Sequence, residues 1–551
     1  MGGVIMIFKK HKNKVYLTVT IVLFILYMII LFYKLSIVPT LFVDEANYAN
    51  EVISFTHFGT DIHGFHHPVY FSSVWGQGQS ILYSLIVRPI VKFFGFSFFT
   101  FRFPMTFLSL LLIGLLCGYI FYISRNYLAT FLMMLAFVTS PGWYVMSRWV
   151  LDANIAPLFV SFSILALLFF FQRKKSSSKF IWFIISATLI SFSAYGYVAT
   201  WLYLPIFLTI LFCYLYWKNL LPFKPIILYF SVITVLVLPL VYFAYNIFVK
   251  HITQPTKFLW FNISPLPQSR TSSLINFSGN VVNTMFHNIV TGFGMYVTGS
   301  DGLSRNTMPP FGMIFPWILI IFAIVGILYG KRVLPEKLNL IKTICIIALI
   351  SFLPMTFIVV PNYTHWNLIH VPLIILCGFG MYIVAQKEKN QFGILLILIL
   401  TILPMIFFVF QYFQESSPYR TGNIRQFSMK NTKAINQFME RKRKSYLFTS
   451  PVSRNFTYFR TYQKPIDHRQ YLKLQEVKPE FKNRMGPIRK YGYLRDMCEF
   501  KTKYRGHRDY VLAISKVNAK QIETHNYIRL KPVKKFKDGK LIYTLNKATQ
   551  K

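Results

Sequence analysis

The sequence predicts a mainly α fold: a polytopic bundle of transmembrane helices carrying a small α/β domain at its C-terminal end. Three observations predict it. Of 551 residues, 54% are hydrophobic and 18% aromatic, more apolar surface than a soluble core of this length can bury. Apolar runs close to the roughly 20 residues that cross about 30 Å of hydrocarbon recur along the first three quarters of the chain. From about residue 414 the character changes, with 33 Lys plus Arg against 10 Asp plus Glu and apolar runs shortened to a few residues.

Taken in order, the candidate spans are 15–37, 103–123, 127–145, 154–172, 179–195, 200–217, 225–248, 311–330, 340–360, 368–385 and 392–413, which makes about eleven helices. The first is longer than a signal-peptide core and no small-residue cleavage site follows it, so it reads as a retained membrane helix. The run 79–95 is interrupted by Arg88, Pro89 and Lys92, which suits a helix lying in the interface. Residues 1–413 thus form a transmembrane domain and 414–551 a basic C-terminal domain. In the latter, a helix is expected near 430–443, with strands at Tyr446-Thr449, Tyr510-Ile514 and Leu541-Thr544.

Loop charge sets the orientation. Lys9, Lys10, Lys12 and Lys14 precede the first span, Arg173, Lys174, Lys175 and Lys179 follow the fourth, and Lys331, Arg332 and Lys337 follow the eighth. The positive-inside rule puts these loops and the N-terminus in the cytoplasm of a cell-membrane protein. The loops after the first, third and seventh spans, and the C-terminal domain, then lie outside. An outward location argues against nucleic acid as the partner of the basic tail and for anionic surroundings such as lipid headgroups or a polyanionic polymer. Cys117, Cys213, Cys345 and Cys377 fall in apolar segments, leaving Cys498 alone in the tail, so neither a disulfide framework nor a Cys-based zinc site is spelled there.

Acids are scarce, 18 against 59 basic residues, which makes the adjacent Asp44 and Glu45 at the end of the first span informative. An ionisable pair at a membrane boundary marks a functional site by default. The same loop holds Asn47, Asp61, His63, His66, His67, Tyr70 and Gln77, and the next outward loop holds Arg148, Asp152 and Asn154. A carboxylate near a helix end is suited to take a proton from an incoming hydroxyl, and an Arg opposite it is suited to hold a phosphate oxygen. Arg148 equally suits the headgroup boundary, and Asp152 equally suits a helix cap. His63 and His66 with Asp61 or Glu45 leave room for a divalent metal, although their spacing matches no tight helical ligand pair.

Phe42-Val43-Asp44-Glu45-Ala46-Asn47-Tyr48, Gly59-Thr60-Asp61-Ile62-His63-Gly64, Pro68-Val69-Tyr70 and Phe101-Arg102-Phe103-Pro104 resemble the first-loop pattern of polytopic GT-C glycosyltransferases. Ser140-Pro141-Gly142-Trp143, Ser147-Arg148 and Asp152-Ala153-Asn154 are similar to the second external loop of bacterial members related to protein O-mannosyltransferases and aminoarabinose transferases. Gly299-Ser300-Asp301-Gly302-Leu303 and Asn367-Leu368-Ile369-His370 resemble later parts of the same pattern, in the same order.

The resemblance implies a GT-C fold and inverting transfer of a sugar from a polyprenyl-phosphate (undecaprenyl-phosphate) donor to an extracytoplasmic glycan, lipid or protein acceptor, with no certain cofactor. It assigns Asp44 as base, Glu45 and Asp152 as groups orienting acceptor or sugar, and Arg148 as the phosphate ligand. Asn154, Asp61, His66, His67, Arg102, Tyr195, Tyr197 and Arg305 become secondary pocket or phosphate candidates. Asp152 stands where that pattern commonly has Glu, and Trp366 where it often has a cation. A lipid-linked glycan transporter is the main alternative, followed by a polysaccharide polymerase or ligase. Transporters favour midplane sites and paired halves, whereas here the polar residues gather in the loops of one face and no internal repeat is visible.

Overall fold

The computed structural model describes residues 2–73, 76–267, 274–275, 279–302, 311–387, 391–421 and 429–440, and in the tail 444–448, 457–458, 460–462, 465, 491–494, 509–513, 520, 523, 528–538 and 541–550. Helices α1 (Gly2–Phe32), α4 (Phe98–Ser124), α7 (Asp152–Gln172), α8 (Ser176–Ala194), α9 (Thr200–Trp217), α10 (Phe223–Phe248), α14 (Glu336–Ile358), α15 (His370–Lys387) and α16 (Gln391–Phe413) account for nine membrane spans among the described residues. At about 1.5 Å per residue each is long and apolar enough to cross the hydrocarbon with its backbone satisfied internally. The chain is a multi-pass membrane protein.

Two expected spans differ from a plain rod. The run 127–145 is a pair, α5 (Tyr127–Val138) and α6 (Pro141–Arg148), bent by 65°. Pro141 has no N–H to continue α5, and the Ser140 hydroxyl caps α6 by accepting from the Trp143 amide. The run 311–330 begins late, as α12 (Pro316–Ile318), passes through a π-helical stretch at Leu319–Ala323, and continues as α13 (Ile324–Val333). There the π-helical stretch and α13 touch α15 backbone to backbone: a Cβ on Gly380 would collide with the Phe322 carbonyl, and one on Gly326 with that of Leu376.

The loop after α1 folds into α2 (Val43–Phe58) and α3 (Leu82–Phe94), the latter matching the helix expected at 79–95. A capping box, Ser97 with Thr100, starts α4. The long stretch expected as loop from 249 to 310 contains the hairpin β1 (Thr256–Phe258) and β2 (Phe261–Ile263) and the helix α11 (Val281–Thr298), which packs on α14. Polar side chains bond the bundle internally: Ser186 Oγ lies 2.9 Å from Tyr229 Oη and donates at 2.9 Å to the Ser163 carbonyl, joining α7, α8 and α10. Each such buried contact contributes on the order of 1 kcal/mol.

The tail follows α17 (Pro418–Thr421) and α18 (Met429–Glu440), the latter matching the helix expected near 430–443. Its sheet comprises β3 (Lys444–Phe448), β4 (Tyr491–Leu494), β5 (Asp509–Ala513), β6 (Ile528–Asp538) and β7 (Leu541–Gln550) in the order β4-β3-β5-β7-β6. β3 runs parallel to β4 and β5, and β7 runs antiparallel to β5 and β6. The sheet belongs to the domain that rests on the α2 end of the bundle. The Asn50 amide donates to the Thr457 carbonyl at 3.0 Å, and Tyr462 packs on Phe98.

Candidate active site

Asp44 sits in the first turn of α2, which opens on an extended Phe42 without a side-chain cap. A first-turn carboxylate meets the positive end of the helix dipole. Asp44 is partly exposed, and its backbone carbonyl accepts from the Gln79 side-chain amide at 3.1 Å. Gln79 is itself fixed by paired backbone bonds to Phe71. Asp152 occupies the corresponding place at the start of α7, its Oδ1 accepting from the Ala153 amide at 2.9 Å.

Glu45 joins these two helix starts. Its carboxylate is fully buried and takes a fork of two bonds from Arg102, at 2.7 and 2.6 Å, while Arg102 Nη1 donates to the Leu35 carbonyl at 2.9 Å. Glu45 Oε1 also accepts from the Val150 amide at 3.4 Å, two residues ahead of Asp152, and Phe42 packs edge-on against Trp149. Burial pushes the Glu45 carboxyl up, and the Arg102 guanidinium pulls it back. The expectation that Glu45 orients a substrate is therefore corrected: both its oxygens are spent on Arg102, and it anchors the turn that presents Asp44. Arg102 is its counterion rather than a pocket wall.

Arg148 is also reassigned. Its guanidinium is buried against Tyr144, Tyr412 and Phe413 and donates to the carbonyls of Ile30, Leu31, Tyr33 and Val38, with 2.8 Å to each of the last two. The last carbonyls of a helix have no partner within it, and Arg148 supplies donors to those ending α1. The Nη donors committed in this way do not reach a lipid phosphate, and Nε is buried without a partner among the described residues. Asn154 likewise serves the scaffold, donating to the Trp149 carbonyl at 2.9 Å, while Asn367 donates to the Ala153 carbonyl beside it. This tie fixes α7 against the start of α15.

The remaining candidates divide. Tyr197 is buried with Ala153 and Ala156, next to Asp152. Tyr195 closes α8, its hydroxyl donating to the Leu236 carbonyl at 2.9 Å, away from both acids in its bonding. His66 and His67 are exposed in the first loop, His66 Nδ1 lying 3.2 Å from the Gly59 carbonyl. Arg305 lies outside the described residues. Glu45, His63 and His66 do not converge: Glu45 is held by Arg102, and His63 Nε2 lies 3.3 Å from the Ser73 carbonyl. Among the described residues no group of three or more His, Cys, Asp or Glu side chains is placed to hold a metal ion.

Asp61 has a partner that sequence reasoning overlooked. Glu51 follows Asp44 at i+7 on α2, after Asn47 at i+3, so all three share a helix face. Glu51 and Asp61 are both buried, each with one oxygen that finds no hydrogen-bond partner. Their other oxygens accept from loop amides: Ile62 to Glu51 at 3.0 Å, and His63 and Phe65 to Asp61 at 2.9 and 2.8 Å. Burial raises both carboxyls above the ordinary range, and Asp61 raises Glu51 further by repulsion.

No family model and no curated protein sequence matches the chain. Solved structures do. The crystal structure of ArnT from Cupriavidus metallidurans in the apo state aligns with 12% identity over 96% of this chain and 98% of that one, at a TM-score of 0.53. The same protein bound to undecaprenyl phosphate aligns with 11% identity over 96% and 97%, at a TM-score of 0.54. The likeness is one of fold, and it is the GT-C membrane fold expected from the sequence.

Proposed function

We propose that this chain is a membrane glycosyltransferase that moves a sugar from a polyprenyl-phosphate donor to an extracytoplasmic acceptor with inversion, Asp44 serving as the general base. The observation that carries this reading is the placement of Asp44 and Asp152 at two helix starts linked through Glu45, which pairs with Arg102 and accepts from the Val150 amide, in a chain with the fold of ArnT. Helix starts held by Glu45 and Arg102 give the acids the fixed geometry that proton transfer needs.

In the proposed step the acceptor hydroxyl gives its proton to the Asp44 carboxylate as its oxygen attacks the anomeric carbon from the face opposite the phosphate. The bond from that carbon to the phosphate oxygen breaks, and the electron pair leaves with the polyprenyl phosphate. Asp152 orients the sugar. With Arg148 committed to α1, the charge of the departing phosphate falls to other donors, His66, His67 and Arg305 being the candidates.

The test is reconstitution: purified protein in vesicles, polyprenyl-phosphate sugars as donors, and a cell-envelope extract as acceptor. Release of polyprenyl phosphate together with labelling of the acceptor supports transfer. Translocation of the intact lipid-linked sugar without its cleavage would establish a transporter instead.

A further inference from the structure

Net charge divides unevenly along the chain, +23 of the total +41 falling in residues 414–551, and the β6–β7 hairpin concentrates it. Residues 528–550 contain seven Lys or Arg and one acid, Asp538. The ladder register places Lys531 of β6 directly opposite Lys547 of β7, with Arg529 opposite Thr549 one step of two residues away. Like charges directly opposite one another in a ladder are destabilising. Lysine on an edge strand is a common guard against sheet-to-sheet pairing. That accounts for β6, but not for Lys547, because β7 lies between β5 and β6.

The register irregularity between Pro532 and Lys534 sharpens the pattern. With Val533 as the extra residue of a bulge, Arg529, Lys531 and Lys534 share one face of β6, and Lys547 joins them from β7. Arg529, Lys531, Lys534 and Lys535 are exposed. Among the described residues no carboxylate pairs with Arg529, Lys531 or Lys547. Strand geometry sets Arg529 and Lys531 about 7 Å apart along the strand. That is close to the separation of successive phosphates in an extended phosphodiester chain. A row of cations repeating along the strand direction fits a linear polyanion better than a planar lipid surface.

From this arrangement we infer that the β6–β7 face binds a linear phosphodiester polyanion and delivers it to the candidate site as the glycosyl acceptor. The acceptor role rests on the proposed transfer reaction; the binding surface does not. The contacts of Thr457 with Asn50 and of Tyr462 with Phe98 put this domain at the end of the bundle where α2 presents Asp44.

The experiment uses the full chain in nanodiscs of zwitterionic lipid, titrated with a fluorescent poly(glycerol phosphate) chain and with neutral dextran at several salt concentrations. The wild type is expected to bind the polyanion in a salt-dependent manner and to ignore dextran. Lys531→Gln with Lys547→Gln is expected to weaken polyanion binding by about tenfold at moderate salt and to reduce the salt slope by roughly 1 to 2. Because the double variant relieves a like-charge pair, its thermal stability should not fall. Lys535→Gln, on the other face by register, should bind as the wild type does. Equal binding by the double variant, or equal binding of dextran, would overturn the inference. So would a dependence on Lys531 and Lys547 seen only with anionic-lipid vesicles. Normal polyanion binding without any sugar transfer would leave the surface standing and sink the transfer reading.

Discussion

Arg102→Ala is the most informative perturbation of the scaffold. The wild-type guanidinium makes three bonds of 2.6 to 2.9 Å, two to Glu45 and one to the Leu35 carbonyl, with both side chains fully buried. Removing it strands a buried carboxylate, a change that costs about 3–5 kcal/mol. Against a typical folding stability of about 5–15 kcal/mol, this is about a fifth or more of the total. Arg102→Lys keeps the charge but not the planar fork and should fall between the two. Adding Glu45→Ala to Arg102→Ala removes the stranded charge, so the double variant should recover at least about 2 kcal/mol relative to the sum of the single changes. The assay is thermal unfolding in a fixed detergent, read alongside sugar transfer, because the same pair also positions the Val150 turn before Asp152. An Arg102→Ala protein with wild-type melting and wild-type transfer would refute the anchoring role.

Arg148→Ala should destabilise by about 2–4 kcal/mol, because buried carbonyls at the end of α1 lose their donors, and Arg148→Lys should recover part of that. If Arg148→Ala instead melts normally and raises only the KM for the lipid donor, the phosphate role returns. Glu51 and Asp61 bind protons more tightly when folded than when unfolded. Their contribution is therefore fully present below the ordinary carboxylate range and is lost as pH rises toward and beyond neutral. Glu51→Gln should flatten the fall in melting temperature between about pH 5 and 8; an unchanged slope would show that burial and Asp61 do not raise the Glu51 carboxyl. Gly380→Ala forces a methyl group into the Phe322 carbonyl and should cost about 1–3 kcal/mol in the same melting assay. Wild-type stability in that variant would mean that the π-helical stretch and α15 are not in backbone contact.

Hydropathy carried the bundle into view because each span must be apolar over a fixed length, whatever it packs against. It could not show the bend between α5 and α6, which depends on Pro141 lacking an N–H and Ser140 capping the next turn. Nor did it show α11, whose mixed residues satisfy neither a membrane length nor an obvious loop. At the site, Asp152 was legible as an acid at a helix start and Asp44 as an acid where the first span runs out, whereas the helix α2 that Asp44 opens was not. The partners of Glu45 and Arg148 were not: the first is paired across 57 residues of sequence and the second across more than 100, and nothing local encodes such a contact. Glu51 was the one miss with a signal in reach, lying at helical spacing from Asp44. Strands β4 and β6 went unread because their residues, Tyr-Gly-Tyr-Leu and a lysine-rich run, carry little apolar alternation.

The central claim is that Asp44 accepts the proton of the attacking hydroxyl. Its most direct test is single-turnover sugar transfer by Asp44→Asn, which preserves shape and removes the base, with donor binding measured on the same sample. A general base contributes about 10²–10⁴-fold, so the rate should fall by at least about 100-fold with little change in donor affinity. Transfer at the wild-type rate by Asp44→Asn would contradict the account.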